Sequence, residues 1–152
     1  MTIRSIHHAT FVIDRTFPAS PARVFAAFAD PVSKAKWFEG PPDWTPIGRS
    51  MDFRVGGKEH SSGRSPDGLE FGFDCTYYDI VPEKRIVYAY EMYMNSARIS
   101  VSVATIELTG TSEGTRVVVT EQGAYLDGKD TPAQREAGTH ALFDKLAASL
   151  AR

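Results

Sequence analysis

The chain has 152 residues and a formal net charge of −2 at pH 7, with 42% hydrophobic and 24% charged residues. This length predicts a single domain over residues 1–152, which buries roughly 70% of the surface that the unfolded chain exposes. The slightly acidic balance argues against nucleic acid as a partner, because phosphate binding needs a basic surface. The one cysteine, Cys75, excludes an intrachain disulfide and a cysteine-based metal site.

The first residues, MTIRSIHHATFVIDRTF, contain no apolar run typical of a signal peptide, and no stretch reaches the length of a membrane span. We therefore expect a cytoplasmic protein with no membrane span. His7 and His8 are adjacent on an extended segment, so their side chains point to opposite faces and form a poor chelating pair. We expect no metal and no cofactor, and the sequence leaves both a monomer and a homodimer open.

Residues 9–17, ATFVIDRTF, are typical of a first strand. Ser20 before Pro21, and Asp30 before Pro31, each place a helix-capping side chain ahead of a proline at the first helical position. These pairs predict two short helices, the second of which ends near residues 37–38. The prolines and glycines of residues 39–50 predict a loop.

Alternating apolar residues then predict an antiparallel sheet. The predicted strands are residues 51–55, 71–77, 86–94, 98–108 and 115–124, and residues 60–68, HSSGRSPDG, are predicted as a turn region. Thr131, Pro132 and Gln134 then match a capping box, which begins a long helix that extends to residue 151. Strands followed by a helix are typical of an α+β domain, with helices on one side of an antiparallel sheet.

Several segments in this order resemble one superfamily. They are RTFPASPARVFAAFADP, VPEKRIVYAYEM, GTRVVVTEQGAYLDG and REAGTHALFDKLAASLA. Together they are similar to the START-related helix-grip superfamily (SRPBCC), in particular the branch of the C-terminal domain of activators of the heat-shock protein 90 ATPase. The resemblance implies a curved six-stranded antiparallel sheet that grips the long C-terminal helix, with a cavity between them. It does not imply one activity, because this fold hosts lipid carriers, ligand sensors, cyclases and co-chaperone domains.

Glu121 is the first candidate for a functional side chain. It is in phase with Val117 and Val119, so it points into the cavity if they do. There it would serve as a general acid or base, or as an anchor for a polar ligand group. At the rim it would instead be solvated or paired with an arginine. Two readings are open for Arg98: it pairs with Glu121 inside the cavity mouth, or it is a surface arginine.

An aromatic and thioether wall is predicted on two consecutive strands. It consists of Phe71, Phe73, Tyr77, Tyr88, Tyr90 and Met92. Such a wall either lines a ligand pocket or packs as ordinary core, since both are mostly apolar. Trp37, at the start of the proline loop, is expected either to cover the cavity mouth or to pin that loop in place. Cys75 is expected to act as a small buried hydrophobe on the same wall.

The C-terminal helix departs from the family that it resembles. Members of that family often carry Gly followed by Trp near its start, whereas Gly138 is followed here by Thr139. The smaller side chain predicts a larger cavity beside Thr139, unless a bulky residue such as Phe143 or Tyr125 fills the space.

Three functions follow as hypotheses. The first is binding of a hydrophobic or aromatic small molecule between the sheet and the C-terminal helix. The second is a cavity enzyme, polyketide cyclase- or hydrolase-like, which uses Glu121 with Tyr88 or Tyr90 as an acid–base pair. The third is a stress-related, co-chaperone-like interaction module, which an exposed apolar patch would favour.

Overall fold

The computed structural model describes residues 4–151, which form seven strands and three helices. The elements in chain order are β1 (Ile6–Phe17), α1 (Pro21–Ala29), α2 (Pro31–Ala35), β2 (Thr45–Met51), β3 (Lys58–Arg64), β4 (Glu70–Val81), β5 (Arg85–Met94), β6 (Ala97–Thr111), β7 (Gly114–Leu126) and α3 (Pro132–Leu150). All strands join one antiparallel sheet in the order β1-β7-β6-β5-β4-β3-β2. The α+β architecture is thus as predicted.

The three helices begin where the sequence predicted. The side-chain oxygens of Ser20, Asp30 and Thr131 accept backbone N–H groups three residues further on, at 3.3, 3.0 and 3.1 Å. A proline follows each cap at the first helical position, where no N–H is needed. These local signals therefore fix the helix starts independently of tertiary contacts.

The sheet has seven strands, not the six that the resemblance implied. Strand β2, apart from Met51, lies within the predicted loop 39–50, and β3 occupies much of the predicted turn 60–68. Of the predicted strand 51–55, only Met51 lies in a strand. Pro46 is tolerated because β2 is an edge strand with a register shift between Pro46 and Gly48. The sequence of β3, KEHSSGR, is polar and has no alternating apolar residues, so the sequence did not predict this strand.

Helix α3 packs on one face of the sheet, here called the inner face. Phe143, Leu146 and Leu150 of α3 are buried in the main core. The Phe143 ring lies edge-on to Phe17 of β1, with ring centroids 6.1 Å apart. Burying such a side chain contributes about 1.5–3 kcal/mol, so this stripe anchors the helix. The N-terminal half of α3 is left over β5, β6 and β7, where the polar groups described below lie.

Candidate ligand cleft

A cleft of about 1450 Å³ lies between the inner face of the sheet and α3. Its walls include every predicted site residue except Arg98, namely Trp37, Phe71, Phe73, Tyr77, Tyr88, Tyr90, Met92, Glu121, Thr139 and Phe143. A volume of this order accommodates a drug-sized molecule. The predicted aromatic wall therefore faces a space between sheet and helix, and does not pack as closed core throughout.

Strand pairing arranges the polar groups of the inner face in two neighbouring rows. One row runs Phe11–Glu121–Ala104–Tyr88–Tyr77 across β1, β7, β6, β5 and β4. The other runs Gly123–Ser102–Tyr90–Cys75–Glu59 across β7, β6, β5, β4 and β3. Each row thus carries one carboxylate and one or two tyrosines. The hydrogen bonds cross between the rows, since Tyr90 bonds Glu121 and Tyr77 bonds Glu59.

The first buried network joins Glu121, Tyr90 and Arg135. The Tyr90 hydroxyl donates to Glu121 Oε1 and accepts a hydrogen bond from Arg135 Nη1 at 2.9 Å. Arg135 Nη1 also lies 3.7 Å from Glu121 Oε1. Glu121 is 3% exposed and Arg135 8% exposed, so the charge pair is largely removed from water. The phase of Glu121 with Val117 and Val119 thus brings it to the inner face, as we expected.

Arg135 is held rigidly by further partners. Its Nη2 donates to Ser100 Oγ at 2.7 Å and to Asp130 Oδ2 at 2.6 Å. Its guanidinium lies over the rings of Tyr90 and Tyr125, with Cζ 5.5 and 5.3 Å from the ring centroids. A planar guanidinium suits such combined stacking and hydrogen bonding. Arg135 is therefore a fixed donor at this end of the cleft.

The pKa of Glu121 is raised above its ordinary value. Burial is the main cause, since it disfavours the charged carboxylate. The hydrogen bond from Tyr90 and the charge of Arg135 oppose this shift without cancelling it. Glu121 is thus poised to gain a proton more readily than a surface carboxylate.

The predicted partnership of Arg98 with Glu121 is wrong. Arg98 lies on the outer face of β6, because the pairing with β5 shifts from Met92–Ser100 to Tyr93–Arg98 and leaves Ile99 as an extra, buried residue. Its Nε is 3.1 Å from Glu91 Oε2, an exposed pair. A shift of one residue in phase moves a strand side chain to the opposite face. The partner of Glu121 comes instead from α3, as Arg135.

A second buried network, missed from the sequence, joins Lys34, Glu59 and Tyr77. Lys34 Nζ lies 2.6 Å from Glu59 Oε1, and the Tyr77 hydroxyl donates to the same oxygen. Lys34 is 5% exposed and Glu59 1% exposed. Glu59 Oε2 is buried with no hydrogen-bond partner among residues 4–151. Lys34 and Tyr77 line the cleft, with Glu59 behind them.

Tyr88 lies between the two networks. Its ring centroid is 5.9 Å from that of Tyr77 and 5.8 Å from that of Tyr90. Burial raises the pKa of Tyr88 well above its ordinary value, so its hydroxyl keeps its proton. That hydroxyl makes no hydrogen bond to any described residue, in contrast to those of Tyr77 and Tyr90. It is thus a free polar group on the cleft wall.

The residues missed by sequence reasoning share one property. Arg135 is separated from Tyr90 by 45 positions, and Lys34 from Glu59 by 25. A polar residue in a helix gives no local indication of a buried partner on a distant strand. For Arg135, the only available signal was its place between the cap at Thr131 and the apolar stripe that contains Phe143.

Cys75 lies beside the second network, next to Tyr77 and Glu59, whereas His60 lies apart from both networks. Burial raises the pKa of the Cys75 thiol to about 12, so it is not a reactive thiolate. His60 belongs to β3, not a loop, and its ring nitrogens lie 2.6 Å from Asp74 Oδ1 and 3.2 Å from Ser62 Oγ. His60 and Asp74 are on the outer face, opposite Tyr77. No metal-binding cluster of His, Cys, Asp or Glu occurs among residues 4–151.

The outer face carries some exposed apolar residues. Val12 of β1 and Val101 and Val103 of β6 are 56%, 45% and 42% exposed. Val12 pairs with Thr120, which pairs with Thr105, and Val101 and Val103 lie in phase with Thr105, so these side chains share one side of the sheet. None of the helices within residues 4–151 has the length and apolar character needed to cross a membrane.

Comparison with known proteins gives one family and several similar structures. The family model described as "Activator of Hsp90 ATPase homolog 1-like protein" matches residues 18–151. A putative uncharacterized protein from Rhizobium leguminosarum is 42% identical, with a TM-score of 0.94 and 99% of each chain covered. The Mll3558 protein from Rhizobium loti is 45% identical, with a TM-score of 0.88 and 96% and 99% of the two chains covered.

A solved structure with lower sequence identity is also similar to this chain. The CV1439 protein from Chromobacterium violaceum is 27% identical, with a TM-score of 0.79 and 93% and 96% of the two chains covered. No curated protein matches the chain.

Proposed function

Since the chain belongs to the Activator of Hsp90 ATPase homolog 1-like family, we propose that it binds a hydrophobic or aromatic small molecule in the cleft below α3. The cleft itself supports this proposal most directly, because aromatic side chains line a space of about 1450 Å³. Ligand sites of this kind combine an apolar lining with a few placed polar groups. Protein interiors are otherwise close-packed, so a space of this size is typical of a binding site and not of a packed core.

Tyr88 and the Glu121–Tyr90–Arg135 network supply those placed polar groups. The Tyr88 hydroxyl has no partner among residues 4–151, so a ligand oxygen or nitrogen can bond it without breaking an existing contact. Glu121 and Arg135 also line the cleft, held in position by Tyr90. A ligand with one neutral polar group on an aromatic frame would therefore be oriented, not merely enclosed.

Titration with the uncharged dye Nile red tests this proposal. Its fluorescence rises and shifts to the blue when it enters an apolar site, so we expect a saturable signal with the wild-type protein. Thr139→Trp, which places a large ring on the cleft wall, should weaken binding by about fivefold or more. The matched control is Ala137→Trp on the exposed side of the same helix. No saturable signal, or equal effects of both variants, would overturn the proposal.

A cavity enzyme is the second candidate, and the state of Glu121 favours it. A buried carboxylate with a raised pKa beside a tyrosine hydroxyl is a suitable proton donor for a bound substrate. Mass spectrometry of the ligand recovered after incubation separates the two candidates. A binding protein returns the added compound unchanged, whereas an enzyme converts it and Glu121→Gln stops the conversion.

The co-chaperone-like alternative would use the outer face in place of the cleft. Val12, Val101 and Val103 are the observation in its favour. Scattered exposed valines are common on soluble proteins, and the buried charges of this chain lie on the inner face instead. The structure therefore supports ligand binding more strongly than a docking role for the outer face.

A further inference from the structure

Two basic side chains flank the Phe38 ring on the wall of the cleft. Lys34 Nζ lies 4.5 Å from the ring centroid and Arg49 Cζ 5.7 Å from it. Lys34 comes from α2, and Arg49 from the edge strand β2, where it is paired with Ser61 on the inner side. Arg49 Nη1 donates to the backbone oxygen of Phe38 at 2.7 Å, which fixes the guanidinium beside the ring.

Only one of these two cations has a carboxylate partner within residues 4–151. Lys34 pairs with Glu59, whereas Arg49 forms no ion pair within residues 4–151. Burial is the main cause that lowers the pKa of Lys34, Glu59 opposes it, and repulsion from Arg49 adds to the lowering. Arg49 therefore carries a positive charge without a carboxylate partner on the wall that also holds Lys34, and an anion bound there would neutralise it.

The opposite end of the cleft holds two carboxylates, Glu121 and Asp130, beside the cations Arg135 and Lys129. Arg135 faces two carboxylates, Glu121 and Asp130, and its donors are already bonded to Tyr90, Ser100 and Asp130. An anion placed there would meet negative charge and find few free donors. Glu39, the other carboxylate near the mouth, lies 3.9 Å from Lys145 and is thus directed to a different cation. Arg49 is thus the guanidinium of the cleft without a carboxylate partner among the described residues, whereas Arg135 already has two.

We propose that the ligand is an apolar acid, whose anionic group binds between Lys34 and Arg49 beside Phe38. Its apolar body then lies along Tyr77, Tyr88 and Tyr90, and any neutral hydroxyl or carbonyl group points to the Glu121 end. This inference rests on the proposed function and adds the charge and the orientation of the ligand. Guanidinium and ammonium groups bind carboxylates through charge-assisted hydrogen bonds, which are stronger than neutral ones.

Naphthoate and naphthamide provide a matched pair of probes, because the two differ by little more than one negative charge. Both are used to displace Nile red from the wild-type protein. We expect naphthoate to bind about tenfold more tightly than naphthamide, and this preference should shrink as salt is added. Equal affinities for the two probes would overturn the inference.

Arg49→Gln is the principal variant, since Arg49 is exposed and its loss leaves the buried networks intact. It should reduce the affinity for naphthoate by about fivefold and change that for naphthamide by less than about twofold. Lys145→Gln, a change of the same charge elsewhere on the cleft wall, is the control and should preserve the preference. If Arg49→Gln and Lys145→Gln had the same effect, general attraction and not a defined anion site would be responsible.

Lys34→Gln tests the second half of the anion site. Because it breaks a buried pair, it is combined with Glu59→Gln and its circular dichroism spectrum is compared with that of the wild type. The folded double variant should lose the preference for naphthoate, and a preserved preference would contradict the role of Lys34. Failure of Nile red itself to bind would refute the proposed function, whereas normal Nile red binding without acid preference would refute this inference alone.

Discussion

Arg135 Nη1 donates a 2.9 Å hydrogen bond to the hydroxyl of Tyr90, although the two residues lie 45 positions apart on α3 and β5. The same hydroxyl donates to Glu121 Oε1, so Tyr90 bridges the arginine and the carboxylate. This bridge ties the N-terminal half of α3 to the sheet, where the apolar stripe of the helix does not reach. It therefore connects the helix to the sheet at the Glu121 end of the cleft.

Tyr90→Phe tests the bridge. The change removes one hydroxyl and leaves Arg135 and Glu121 buried at 3.7 Å without their shared partner. Unpaired buried polar groups are costly, so we expect the free energy of unfolding to fall by about 1–3 kcal/mol. Urea denaturation provides the measurement. Tyr78→Phe, at a position that is 62% exposed, is the control and should change stability by less than about 0.5 kcal/mol.

The pH dependence of stability should reveal the raised pKa of Glu121. The native state holds the Glu121 proton more tightly than the unfolded state does. Protonation of Glu121 therefore contributes most to the free energy of unfolding below the ordinary pKa of 4.5. The contribution is lost as pH rises through the higher folded-state pKa. Glu121→Gln cannot lose a proton, so the stability of the wild type relative to this variant should fall as pH rises from 4.5. Urea denaturation of both proteins from acid to neutral pH measures this difference in the free energy of unfolding. A wild-type stability that rises with pH relative to the variant would contradict the raised pKa of Glu121.

The buried Lys34–Glu59 pair should be expensive to break. Lys34→Met leaves Glu59 without its cation at a 1% exposed position, which should cost about 3–5 kcal/mol. Lys145→Met breaks a partly exposed pair with Glu39 and should cost about 1 kcal/mol or less. Thermal and urea denaturation compare the two. The double variant Lys34→Met/Glu59→Gln should be more stable than Lys34→Met, because no charge then remains buried; a double variant less stable than the single one would argue against this explanation.

Thr139→Trp should stabilise the free protein if the space beside α3 is empty. Thr139 is partly buried on the cleft wall, and a side chain added at the neighbouring Gly138 would meet no atom within 4 Å. Burying much of a tryptophan, with roughly 200 Å² of surface, contributes on the order of several kcal/mol, so the melting temperature should rise. A clearly lower melting temperature would mean that the site is already filled, since forcing a large side chain into a packed core costs about 1–3 kcal/mol.

Local sequence signals predicted the parts of the fold that depend on neighbouring residues. The caps at Ser20, Asp30 and Thr131 predicted the helix starts, because each bonds a backbone group only three residues away. The alternation of Val117, Val119 and Glu121 likewise predicted that Glu121 lies on the inner face of the sheet. The edge strand β2 and its neighbour β3 were missed, because their polar residues, Pro46 and Gly48 carry no apolar period. Pairing of β3 with β4, and of β2 with β3, is what orders them.

The sequence by itself therefore determined the α+β class, the helix starts and the presence of a carboxylate on the inner wall. Only the tertiary structure decided which cations meet the carboxylates. Arg135 reaches Glu121 and Lys34 reaches Glu59 because two helices pack across the sheet, not because of any spacing along the chain. Helix and strand periods specify which face a side chain occupies, whereas contact between distant elements depends on how those faces pack together.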